Sequence, residues 1–213
     1  MKPLTIVCIS DTHELHRELD VPNGDILIHA GDFTMFSKSA VAILDFNEWL
    51  GDLPHRWKIL IPGNHEFFLE ADLSRRSLIS NATVLINDDI EVAGLKIWGS
   101  PLTPLYGGAF GLSSPADRAR LYAEIPDDVD ILVTHGPPYG ILDRSPGTLH
   151  HVGSPQLLEA VTRLKPRLHV FGHVHGAHGL VSIDDTLFVN AALLGPGGDL
   201  SASPIVLRMP RVG

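Results

Sequence analysis

Cysteine is nearly absent. Cys8 stands alone in 213 residues, so no disulfide can staple the chain to itself, and a reducing, cytoplasmic compartment is expected. Its neighbours Ile6, Val7 and Ile9 mark Cys8 as a small core residue rather than a reactive thiol. Long hydrophobic runs are missing too. No stretch approaches the about 20 apolar residues that a membrane helix needs, and the first apolar run ends early, at Ser10-Asp11, which argues against a secretory leader. Basic residues are outnumbered, 16 Lys and Arg against 25 Asp and Glu, for a net charge of −9. A general nucleic-acid-binding surface is therefore not expected. Internal repeats and low-complexity linkers are also lacking. What is present, 44 % hydrophobic and 19 % charged residues, is the composition of a globular chain. Its length suits one domain or at most two, leaves room for a sizeable core, and leaves homo-oligomerisation open.

Short apolar runs alternate with helical stretches, and the last third is rich in strands. Strands are predicted at 4–9, 25–29, 57–61, 83–86, 90–92, 95–99, 130–134, 167–171, 179–183, 186–190 and 204–208. The fully apolar ones predict burial on both faces, as in an α/β sheet. Apolar Val41, Leu44, Trp49 and Leu50 predict a helix from Ser39 to Leu50, ended by Gly51. Ser114-Pro115 and Ser154-Pro155 each read as an N-cap followed by a first-turn proline. They open helices to about Ala123 and to Leu164. A further helix is predicted from about Asp72 to Ser80. Segments 100–113 and 136–153 carry too much Gly and Pro for regular structure, and long loops of this kind are often functional.

Five short motifs stand out from this frame: Asp11-Thr12-His13, Gly31-Asp32, Gly63-Asn64-His65-Glu66, Thr134-His135-Gly136 and Gly172-His173-Val174-His175. Each alone is weak. Four of them directly follow an apolar run, and ligands in open α/β sheets gather beyond the carboxyl ends of strands. The donors are Asp, Asn and His without Cys. That set selects borderline first-row metals such as Mn, Fe, Co, Ni or Zn, and argues against calcium or a purely oxygen-ligated magnesium. A carboxylate can bridge two metals, and Asp32 is the candidate because Gly31 permits close backbone approach. Asp11 and Asp32 bring two negative charges and two divalent ions bring four positive ones. The remaining positive charge would attract a phosphate ester despite the acidic chain.

Most of the 12 histidines need no such role. His16, His55 and His178 are expected to be solvated. His29 and His169 lie inside apolar runs and are expected as hydrogen-bonded core residues, or as supports behind a ligand. His150 and His151 fall in the second long loop, within reach of a substrate.

Taken together, the motifs resemble the calcineurin-like metallophosphoesterase superfamily, whose pattern is Asp-x-His, Gly-Asp, Gly-Asn-His-Asp/Glu, His, Gly-His-x-His. The likeness spans about residues 5 to 195. Leu27-Ile28-His29-Ala30-Gly31-Asp32-Phe33-Thr34, Phe46-Asn47-Glu48-Trp49-Leu50-Gly51, Ile61-Pro62-Gly63-Asn64-His65-Glu66, Thr134-His135-Gly136-Pro137-Pro138 and Leu168-His169-Val170-Phe171-Gly172 resemble its brain-type metallophosphodiesterase branch. The resemblance implies one domain over 1–213, built as a four-layer α/β/β/α sandwich of two mixed sheets flanked by helices, with two divalent transition-metal ions, manganese foremost. It implies Asp11, His13, Asp32 and His175 on one metal, and Asp32, Asn64, His135 and His173 on the other. His65 is then not a ligand but faces the phosphoryl group and leaving oxygen, with Glu66 a candidate to orient it.

Several departures sharpen this reading. Gly31-Asp32 continues as Phe33-Thr34-Met35-Phe36, unlike the Gly-Asp-x-x-Asp-Arg-Gly of protein Ser/Thr phosphatases. His175 stands where some animal members of the nearer branch carry Gly. No Tyr occupies a motif position, as ferric iron in purple acid phosphatases would require. The expected activity is hydrolysis of a small phosphodiester, with cyclic nucleotides suggested by the resemblance alone, by a hydroxide bridging the metals, with Asn64 and His65 as catalytic residues. The alternatives are a metal-dependent phosphomonoesterase and a catalytically silent binding scaffold. The loops 100–113 and 136–153 are expected to wall an open cleft, with Tyr106, Phe110 or Tyr139 placed to stack a base.

Overall fold

The computed structural model describes every residue except Met1, Ser37, Leu105, Tyr106, Leu149, Val212 and Gly213. One mixed sheet holds β1 (Leu4–Ile9), β2 (Ile26–His29), β3 (Trp57–Leu60) and β4 (Thr83–Val84) in parallel, with β11 (Ile205–Met209) antiparallel along β1. The other holds β5 (Asp88–Val92), β6 (Leu95–Ser100), β7 (Ile131–Thr134), β8 (Leu168–Phe171), β9 (Gly179–Ile183) and β10 (Thr186–Asn190), in the order β5-β6-β7-β8-β10-β9. Its four central strands are parallel and both edges are antiparallel. The helices are α1 (Ala40–Asp52), the single turn α2 (Phe67–Glu70), α3 (Pro115–Ala123) and α4 (Pro155–Leu164).

The sheets face each other. Ile6, Cys8, Ile26, Ile28 and Ile59 meet Ile97, Ile131, Val133, Leu168 and Val170 in the core between them. The alternate residues Val7, Ile9, Leu27 and Leu60 pack beneath Ile43, Phe46, Trp49 and Leu50 of α1. On the other outer face, Trp98, Leu132, Phe171 and Phe188 pack beneath Tyr122 of α3 and Leu157, Val161 and Leu164 of α4. Both faces of each central strand are therefore dry, which is why those runs show no polar alternation. The expected α/β/β/α layering is present. Burial pushes the Cys8 thiol up to about 12, as suits an inert core residue. No helix among the described residues is long and apolar enough to cross a membrane.

Most predicted elements are found within a residue or two. Ser114 and Ser154 cap their helices, accepting the N–H of Asp117 and Leu157 at 3.3 Å. Gly51 does not end α1, which runs on to Asp52. Its missing side chain instead admits Asn81, whose Nδ2 would lie 3.0 Å from a Cβ there and which donates to the Asn47 carbonyl at 2.9 Å. The helix expected from Asp72 to Ser80 is a 3₁₀ segment, Leu73–Leu78, in which Asp72 caps Ser74. Beyond Ser100, the last residue of β6, the described residues of segments 100–113 and 136–153 carry isolated bridges rather than strands or helices.

Candidate metal centre

The five motifs meet at one edge of the sandwich, where β1 ends beside the end of β10 and Ser10 bridges to Ala192. Asp11 and His13 follow β1, Asp32 follows β2, Asn64 and His65 follow β3, His135 follows β7, and His173 and His175 follow β8. Chain reversal at these points needs unusual backbone. Asp11, His13, Asp32 and His173 all adopt left-handed φ, between 40° and 69°, at a cost of roughly 1–3 kcal/mol each. Hydrogen bonds between the loops hold them there: Asp11 N to Gly31 O at 2.9 Å and His13 N to Asp32 O at 3.1 Å. The glycines matter by absence of bulk. A Cβ on Gly63 or Gly172 would strike the carboxylate of Asp32 or of Asp11.

The donor atoms converge. His13 Nε2 and His175 Nε2 are 3.3 Å apart, and His175 Nε2 is 3.3 Å from Asp11 Oδ1. His135 Nε2 lies 3.2 Å from Asp32 Oδ2 and 2.9 Å from Asn64 Oδ1. Ligating atoms of Asp11, His13 and His175, and likewise of Asp32, His135 and His173, lie within 4.8 Å of one another. The same holds for His13, Asp32 and His65, so proximity alone does not separate His65 from the others. All eight predicted site residues are thus brought to one place.

The histidine tautomers test whether a cation fits. His13 Nδ1 must donate to the Thr34 carbonyl at 3.2 Å, and His135 Nδ1 to the Ala30 carbonyl at 2.8 Å. In the neutral rings each Nε2 then carries a lone pair aimed into the cluster. For His135 that lone pair faces two further acceptors, Asp32 Oδ2 and Asn64 Oδ1. Such a meeting of acceptors requires a positive charge at its centre, so the residues fit a metal. Without one, a proton serves. Burial opposes it, but the Asp32 carboxylate, the Asp11 charge and the Ala30 carbonyl together outweigh burial and raise His135 to about 9. Burial would raise Asp11 as well, yet its hydrogen bond to His175 and the neighbouring histidine charges hold it well below the usual carboxylate range. For His173 burial, helped by the His135 charge, outweighs the pull of Asp32 and Asp11 and lowers it to about 4.

Glu66 does not orient His65. Its buried carboxylate accepts from the backbone N–H of Asp32 at 3.0 Å, Gly63 at 2.5 Å and Thr34 at 2.9 Å, and from the Thr34 hydroxyl at 2.9 Å. It ties the β2 and β3 loops together beneath the bridging candidate. Burial and the Asp32 charge push it up to about 8. His65 is instead sandwiched by rings, with Phe36 stacked at 3.7 Å and His13 edge-on at 4.4 Å.

The other histidines divide differently from expectation. His16 and His55 are buried rather than solvated, bonded to Asp45 at 2.9 Å and to the Pro22 carbonyl at 3.1 Å. His178 is half-buried and donates to the Ala192 carbonyl at 3.0 Å. His29 and His169 are core residues as expected, bonded to the hydroxyls of Thr12 and Thr134. Burial lowers both to about 3. His151 pairs with buried Asp143 at 2.6 Å.

An open cleft of about 770 Å³ lies over the cluster, lined by Asp32, Asn64, His65, His173 and His175 below and by Pro104, Ser145, Pro146, Val152 and Pro196 on its walls. Both long loops contribute, as expected. The aromatic candidates do not: Phe110 and Tyr139 are absent from the lining, and Tyr106 lies outside the described residues. Phe36, beside His65, carries no motif signal in the sequence.

A sequence profile described as calcineurin-like phosphoesterase matches residues 4–177. Metallophosphoesterase domain-containing protein 1 of Homo sapiens is 39 % identical over 231 aligned residues, covering 96 % of this chain and 70 % of the relative. The Mus musculus protein of that name matches to the same extent. Among solved structures, phosphopantetheinyl hydrolase from Mycobacterium tuberculosis has a similar fold, with a TM-score of 0.58, 18 % identity, and coverage of 91 % of this chain and 90 % of that one.

Proposed function

The chain belongs to the calcineurin-like phosphoesterase family, and from that premise we propose that it is a metal-dependent phosphodiesterase acting on small phosphodiesters, cyclic nucleotides among them. Asp11, His13, Asp32 and His175 would hold one divalent ion, and Asp32, Asn64, His135 and His173 a second, with manganese the first candidate. Bound there, the ions would supply Lewis-acid activation of the ester and of water. The protein's own part is orientation and proton handling. The Asn64 amide donates to a phosphoryl oxygen. Burial, stronger than the pull of Asp32, holds His65 below the usual histidine range. A neutral His65 ring meets the substrate and stabilises the leaving oxygen through an N–H. The chain acts as one domain over 1–213, and its single buried thiol suits the reducing cytoplasm.

The observation that supports a diester is the open cleft of about 770 Å³ above the cluster. A diester has a second substituent that needs space, and the two loops wall the site without closing it. The intact His65 and full donor set count against a silent scaffold. Kinetics with matched aryl phosphodiester and phosphomonoester, on one metal-loaded preparation, test the reading. The diester is expected to have the higher kcat/KM. A monoester preference of about tenfold, roughly 1.4 kcal/mol in transition-state binding, would favour the phosphomonoesterase.

A further inference from the structure

A second cavity, of about 610 Å³, is lined by Phe36, whose ring stacks on His65 of the cleft. Phe36, Phe67, Phe68 and Ala71 form its apolar surface, and Lys38, Glu70 and Arg75 its rim. Phe36 is the partition. One face of its ring is stacked on His65, with 3.7 Å between centroids and 22° between planes, while the side chain is 53 % exposed. A bulky aromatic held at φ 53° is unusual, because left-handed backbone is strained for such a residue. The ring is held where water would ordinarily be preferred to phenylalanine, and it prolongs the His65 plane into an apolar groove.

The rim is cationic against the trend of an acidic chain. Lys38 and Arg75 outnumber Glu70, with Arg75 also facing Asp72 at 3.6 Å, and one Glu70 oxygen already accepts the Phe110 N–H at 2.7 Å. Arg75 lies over the Phe68 ring at 4.1 Å and bonds the Phe68 carbonyl at 2.9 Å, which fixes that wall. An occupant must therefore be flat and apolar enough to stack on Phe36, and must belong to an anionic molecule already held at the cluster.

We propose that this groove is the leaving-group subsite, and that it takes an aromatic ring, aryl or nucleobase, stacked on Phe36. The inference rests on the phosphoester-hydrolase reading of the cluster and adds which substrates it prefers. His65 lines the cleft and its ring stacks on Phe36, which lines the groove, so a group departing past His65 is met by Phe36. Small alkyl leaving groups reach the cluster without filling the groove.

Binding and turnover are measured separately. Calorimetry on manganese-loaded protein compares naphthylmethylphosphonate with methylphosphonate, neither of which can be hydrolysed. The wild type is expected to prefer the aromatic phosphonate by about tenfold, the scale of one aromatic stacking contact. Phe36→Ala removes the stacking face, and Ala71→Trp fills the groove from an exposed position away from His65. Each is expected to cut that preference to about threefold or less. Aryl and alkyl phosphodiesters should lose their kcat/KM ratio in parallel. An aromatic preference that survives both substitutions overturns the subsite, as does a wild type without one. If the phosphonate preference behaves as expected but no ester is hydrolysed, the subsite stands and the hydrolase reading falls.

Discussion

The carboxylate of Glu66 accepts the backbone N–H of Asp32 at 3.0 Å, so one buried acid fixes the main chain of another. The same carboxylate takes the N–H groups of Gly63 and Thr34. Glu66→Ala leaves three buried backbone N–H donors unpaired, besides the Thr34 hydroxyl, at about 1–3 kcal/mol for each N–H. Urea unfolding of the metal-free variant should show a loss of about 3 kcal/mol or more. Glu66→Gln keeps one acceptor oxygen and should fall between the variant and the wild type.

Asp32 and His65 should separate cleanly. Asp32→Ala is expected to lose both ions, since the proposed bridge serves each. His65→Ala should keep its metal content by elemental analysis and lose about 10²–10⁴-fold in kcat. Equal metal loss in the two variants would move His65 into the ligand set.

Metal binding should release a proton from His135. This ring is raised to about 9 in the metal-free fold, and its proton must leave before Nε2 can ligate. Manganese affinity should therefore rise with pH up to about 9. Calorimetry in buffers of different ionisation enthalpy measures the released proton. The sign for stability is opposite. The charged His135 stabilises the metal-free fold fully below its ordinary value of 6.5, and that contribution fades as pH climbs through about 9.

Acid should weaken the fold through His29 and His169. Each is held down to about 3 by burial, against 6.5 when exposed. Between those values the unfolded chain binds protons that the fold refuses. Stability should then fall with pH by up to about 1.4 kcal/mol per unit for each ring. Denaturation midpoints of wild type and His169→Asn at pH 7 and pH 5 check this, and the variant should show the shallower fall.

The layers and the site edge were legible because their signals are local. Runs such as Ile26–His29 and Leu168–Phe171 announce strands dry on both faces, and Ser114-Pro115 and Ser154-Pro155 announce helix starts. The motif residues follow strand ends, so topology alone gathers them. Tertiary partners were not legible. His16 is buried because Phe46 and Trp49 of α1 pack on it, with Asp45 as its hydrogen-bond partner, and nothing beside His16 in sequence says so. Glu66 sits next to His65 yet turns towards Thr34, 32 residues away. Phe36 reaches His65 only through the loop that carries it past Asp32.

The meeting of His175 with Asp11 at 3.3 Å joins positions 164 residues apart. Closing so long a loop is slow, and it precedes any reward from the contact. A nascent chain that has emerged only as far as β6 already carries Asp11, His13, Asp32, Asn64 and His65, yet none of the three histidines that complete the cluster. Completion of the cluster is therefore a late event in the life of the polypeptide, coming after the ribosome has delivered β8 and the two sheets have docked.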